Sequence, residues 1–70
     1  MRIISYNING IRAAMKKGLM DWLATDPGDI ICLQEVKAER SNIDQSLFNN
    51  LGYHDYWYSA QKQTFYLIRP

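Results

Sequence analysis

Asn7 and Asn9 follow one short apolar segment, and Gln34 and Glu35 close another, "DIICLQE" at residues 29–35. A carboxylate and a carboxamide present hard oxygen donors, which suit Mg²⁺ or Mn²⁺ better than Zn²⁺. Lys37 lies two residues beyond Glu35, and Arg12, Lys16 and Lys17 gather just after Asn9. A hard cation held by one carboxylate, with ammonium and guanidinium groups nearby, is chemistry for a phosphate ester. Mg²⁺ commonly keeps waters and takes phosphate oxygens to fill its shell. A blander reading stands beside this one, because strands of any parallel sheet can end in polar residues where they meet water.

The elements that would position these residues can be read from pattern. "RIISYNI" (2–8) is rich in β-branched and aromatic residues and predicts a strand. Ile11, Met15, Leu19, Trp22 and Leu23 recur at helical spacing, with Gly18 as a joint between two helical pieces. "DPGD" (26–29) stops that helix. "DIICLQE" predicts a second strand, apolar on both faces as if covered on two sides, with Cys32 buried inside it. "SNIDQSLFNNLG" (41–52) predicts a second helix, capped by Ser41 or Asn42 and closed by Gly52, with Ile43, Leu47, Phe48 and Leu51 as its stripe. "YHDYWYSA" (53–60) and "TFYLIRP" (64–70) have strand character, the last stopped by Pro70. Tyr53, Tyr56, Trp57 and Tyr58 suit sheet packing, with base stacking as the alternative.

The order β-α-β-α-β, with one further strand, predicts an α/β sheet in a single domain. If the first crossover is right-handed, strands one and two run parallel and their carboxyl ends share one rim. Ligand sites gather at that rim in open α/β sheets, which places Asn7 near Glu35. The chain has 70 residues, 47% of them hydrophobic and 21% charged, enough for a small core. Its net charge of +1 says nothing of partners, and its single cysteine excludes an internal disulfide. No apolar run predicts a signal peptide or a membrane span, so a reducing, cytoplasmic setting is expected.

"SYNINGIRAAMKKG" followed by "DIICLQEVKA" resembles the start of the exodeoxyribonuclease III type of AP endonucleases, within the endonuclease/exonuclease/phosphatase superfamily. "GYHDYWYSAQK" is similar to the segment that follows in that family. The resemblance covers roughly residues 1–62 and implies the N-terminal part of a two-sheet α/β sandwich, incomplete in residues 1–70. It implies Mg²⁺ (or Mn²⁺) at Glu35 and Asn7. Asn9, Arg12, Ala13, Lys17 and Lys37 fall on the DNA-binding side, Lys37 just behind the metal glutamate. The implied partner is double-stranded DNA with abasic sites, cut 5′ to the lesion by a protein that is a monomer at full length. Family members also act as 3′-exonucleases or 3′-phosphatases.

After Lys62 the family continues with Gly-Tyr-Ser-Gly, whereas this chain reads "QTFYLIRP". The family's Asp–Asn pair and closing Asp–His pair lie further downstream, and His54 does not match a catalytic position. An open apolar sheet face and a β-prone "TFYLI" segment also predict poor solubility. Two alternatives remain at this point: another phosphoesterase of the superfamily, or a small non-enzymatic nucleic-acid-binding module. The resemblance predicts that these 70 residues alone give no detectable incision of abasic duplex DNA with Mg²⁺, even at high protein concentration. Robust incision in a gel assay contradicts it.

Overall fold

A computed structural model describes residues 1–58 and 63–69. Four strands form one mixed sheet: β1 (Ile3–Asn7), β2 (Ile30–Gln34), β3 (His54–Tyr58) and β4 (Thr64–Ile68), in the order β1-β2-β4-β3. β1 and β2 are parallel, with Asn7 opposite Gln34, and β4 runs antiparallel to both of its neighbours. Two short helices, α1 (Ile11–Lys16) and α2 (Leu19–Ala24), form the crossover from β1 to β2. The expected joint is present: Gly18 sits at φ 96°, a left-handed conformation that only glycine adopts without penalty.

β-branched and aromatic residues alternate along the strands, and one face of the sheet carries the core. Ile31, Leu33, Phe65 and Leu67 of that face are buried with Ile11, Leu19 and Leu23 of the crossover helices. Phe65 stacks on Trp57 with ring centroids 4.4 Å apart, and meets Phe48 at 5.4 Å. Residues 26–29 stop α2 as expected. Asp26 turns at φ 60°, and a side chain at Gly28 would approach the Arg2 carbonyl to 3.1 Å. The Gly28 carbonyl accepts the buried Tyr53 hydroxyl at 2.9 Å, tying this turn to the start of β3. The Arg69 guanidinium lies over the Tyr53 ring at 4.4 Å. Its Nε is 2.9 Å from Asp26 Oδ1 but off line, so that contact is an ion pair without a hydrogen bond.

Three expectations are corrected. The helix over 41–52 is a 3₁₀ turn, η1 (Arg40–Asn42), and a separate α3 (Ser46–Asn49). Asp44 divides them, because its Oδ1 accepts both the Ser46 amide and hydroxyl and so starts a new helix. Gly52 does close α3: Tyr53 N–H donates to Phe48 O and Gly52 N–H to Asn49 O, a paired left-handed cap. β2 is buried on one face only. Cys32 and Ile30 are half-buried on the opposite face, where no layer packs among the described residues. The β-prone "TFYLI" segment forms β4 between β2 and β3, so both sides of its backbone are paired. The open face exposes Ile3, Tyr56, Tyr58 and Tyr66. Residues 59–60 of the expected third strand, and Pro70, lie outside the described residues.

Asp55 anchors η1 to the sheet. Its side chain is only 6% exposed, and desolvation alone would raise its pKa. Hydrogen bonds from Trp57 Nε1 at 2.8 Å and Arg40 Nε at 3.1 Å outweigh that effect and hold the carboxyl below its ordinary value. A carboxyl depressed by folding adds stability above its unfolded pKa, about 3.9, and loses it as pH falls through the folded value. The urea midpoint therefore falls as pH drops below about 4, and Asp55→Asn makes that fall shallower. An identical acid profile for the variant contradicts this assignment.

Candidate functional site

Beyond the strands, the two parallel chains stay joined. Ile8 N–H donates to Gln34 O at 3.1 Å, Gly10 N–H to Glu35 O at 2.7 Å and Ile11 N–H to Val36 O at 2.9 Å. Val36 N–H donates in turn to Gln63 O at 3.0 Å, which fixes the start of β4 against the same loop. Ile8 and Val36 are buried. With Ile8 and Val36 turned into the core, Asn7 and Asn9 stand on one segment and Glu35 and Lys37 on the other.

These four side chains form two rungs. Asn7 Nδ2 donates to Glu35 Oε2 at 2.6 Å, and Lys37 Nζ donates to Asn9 Oδ1 at 2.7 Å. Asn9 N–H donates to Asn7 Oδ1 at 2.9 Å and links the rungs. The expected convergence of Asn7 and Glu35 is present. Asn7 already spends its amide on Glu35 and its carbonyl oxygen on Asn9, so it orients the carboxylate as well as offering an oxygen. Glu35 is half-buried, while Asn7, Asn9 and Lys37 are exposed.

The backbone here is held in uncommon conformations. Asn9, Gly10, Glu35 and Lys37 have φ of 47°, 99°, 54° and 57°. Each non-glycine residue in this region costs about 1 kcal/mol or more, and such residues cluster where structure is over-determined for function. Asn9-Gly10 is a turn signal visible in sequence. Glu35 and Lys37 carry no such signal, and neither does Thr64, which lines a recess of about 240 Å³ with Asn7, Gln34 and Glu35.

The basic residues divide. Lys17, at the end of α1, lines a groove of about 480 Å³ together with Asn7, Asn9, Tyr6 and Trp22. Arg12 and Ala13 are exposed on α1, whose first turn is tied to the rim through Ile11. Lys37, expected to face DNA, is hydrogen-bonded across the rim to Asn9. His54 lies at the opposite end of the sheet, opposite Ile68, whose partner is Ile30. No group of three or more His, Cys, Asp or Glu exists among the described residues that could enclose a metal. One carboxylate beside carboxamides is a donor set that fits a hard cation retaining waters, and not a closed zinc site.

The endonuclease/exonuclease/phosphatase family model matches residues 4–68. The chain belongs to this family. Within it, the chain is 41% identical over 64 residues to an exodeoxyribonuclease of Bacillus subtilis, covering 90% of this chain and 24% of that protein. It is 34% identical over 67 residues to the DNA repair nuclease APEX1 of Danio rerio, covering 94% and 22%. An AP endonuclease from Archaeoglobus fulgidus superposes with a TM-score of 0.81 at 26% identity, covering 97% of this chain and 27% of that one. The resemblance read from the two motifs is thus borne out, and the sheet and its helices match this part of the AP endonuclease fold. The chain spans about a quarter of the length of these relatives.

Gly10 makes the turn between Asn9 and α1, and its φ of 99° and ψ of 122° are closed to residues with a side chain. A methyl group there would find room, 3.7 Å from the Lys37 stem, so strain alone sets the penalty. Gly10→Ala is expected to lower unfolding free energy by about 1–3 kcal/mol in urea, and an unchanged midpoint contradicts the turn geometry.

Proposed function

We propose that this chain carries the carboxylate side of a divalent-metal site for hydrolysis of DNA phosphodiesters, acting 5′ to abasic sites as in AP endonucleases. The observation that carries the reading is the Asn7–Glu35 contact at the shared rim of two parallel strands. Glu35 would hold Mg²⁺ or Mn²⁺, and Asn7 would orient that carboxylate and contribute an oxygen. Such a cation, when bound, neutralises charge on phosphoryl oxygens and activates water. Arg12, Ala13 and Lys17 would meet the DNA backbone, where charge fixes position without reading sequence. Lys17 supports this most directly, since it lines the same groove as Asn7 and Asn9. A 3′-exonuclease or 3′-phosphatase activity uses the same groups. The lone cysteine fits a reducing, cytoplasmic setting, and the family resemblance implies a monomer at full length.

The test is a Mn²⁺ titration followed by electron paramagnetic resonance, with an abasic-site duplex titrated by fluorescence anisotropy. The chain is expected to take up Mn²⁺ in competition with Mg²⁺, and Glu35→Gln to weaken uptake at least tenfold, roughly the loss of a single charged ligand. DNA affinity is expected to fall with salt, and Lys17→Ala to reduce that salt dependence by about one phosphate contact. Tight DNA binding that ignores Mg²⁺ and survives Glu35→Gln would instead support a non-enzymatic nucleic-acid-binding module.

A further inference from the structure

The side-chain chain Lys37→Asn9→Asn7→Glu35 begins and ends on one loop and crosses to the other between. Both rungs join residues 28 apart in sequence, and the backbone bond from Gly10 N–H to Glu35 O ties the same two segments together. Lys37 is the outer rung. Its stem passes over Gly10, 3.7 Å from where a side chain there would begin, and its ammonium ends on Asn9 Oδ1. Asn9 cannot then rotate without losing either that bond or its own backbone bond to Asn7 Oδ1. Asn7 is thereby left with its amide aimed at Glu35.

From this we infer that Lys37 is a positioning residue for the cation site, acting through Asn9 and Asn7 on Glu35, and is not chiefly a contact to DNA phosphate. The inference rests on the metal reading given above. It makes a prediction of sign. A lysine ammonium beside a divalent cation repels it, so charge alone says that deleting Lys37 should tighten metal binding. A clamp says the reverse, because the left-handed turns at Asn9, Glu35 and Lys37 relax once the outer rung is gone. Partners that orient a metal's ligands typically matter ten- to a hundred-fold in affinity.

The experiment is a double-mutant cycle on the 70-residue chain. Mn²⁺ affinity is read by electron paramagnetic resonance, and amide exchange at Gly10 by NMR. Lys37→Met and Asn9→Ala are each expected to weaken Mn²⁺ binding about tenfold, and the double variant to lose no more than either alone. Lys37→Arg, which can still reach Asn9 Oδ1, should stay close to the unsubstituted chain. The Gly10 amide, bonded to Glu35 O, should exchange faster in Lys37→Met while the β2 and β4 amides keep their protection. Equal or tighter Mn²⁺ binding by Lys37→Met overturns the clamp, and so do losses that multiply in the double variant. Glu35→Gln separates the two readings. If it leaves Mn²⁺ binding unchanged, or if the unsubstituted chain takes up no Mn²⁺, the site itself falls. If it weakens binding and Lys37→Met does not, the clamp alone falls.

Discussion

The site depends on the parallel, in-register pairing of β1 with β2. Asn7 stands opposite Gln34, so the next residues of both chains leave the sheet at the same rim and in the same direction. Parallel pairing requires a crossover, and α1 and α2 provide it while burying Ile11, Leu19 and Leu23 against the sheet. The pairing then continues past the strands through Gly10 and Ile11, so the first turn of α1 hangs from the loop that carries Glu35. A one-residue slip between β1 and β2 would exchange the buried Ile8 and Val36 for the polar residues beside them. Core burial therefore enforces the register that the chemistry needs.

The layout of charge follows from the same constraint. Glu35 is half-buried, and one of its oxygens accepts the neutral amide of Asn7, which orders the carboxylate. The ammonium of Lys37 is spent on Asn9 and not on Glu35. On the other side of the sheet, Ile3, Tyr56, Tyr58 and Tyr66 are exposed, while in relatives this chain corresponds to about a quarter of the protein.

Much of this was legible in the amino acids. Strand boundaries at β1 and β2, the joint at Gly18, the stop at 26–29 and the meeting of Asn7 with Glu35 all follow from local pattern and one topological rule. What pattern could not show was non-local or depended on single side chains. Asp44 breaks the helical stripe of 41–52 because its carboxylate captures Ser46, a competition that periodicity does not register. The insertion of β4 between β2 and β3 is a choice of pairing partner, and no local signal carries it. Cys32 reads as core because its neighbours are apolar, yet it faces the uncovered side. The left-handed turns at Glu35 and Lys37 are imposed by bonds to residues 28 positions away, so only the Asn9-Gly10 turn announces itself in sequence.

The central claim is that one rim of this sheet, and no other part of it, gathers a divalent cation. Paramagnetic broadening by substoichiometric Mn²⁺ in a ¹H–¹⁵N spectrum maps that directly. Amide signals of residues 7–10 and 34–37 are expected to vanish first, with His54, Ile68 and Ile30 at the far end of the strands unaffected. Broadening centred on His54 or spread evenly over the acidic surface would contradict the claim.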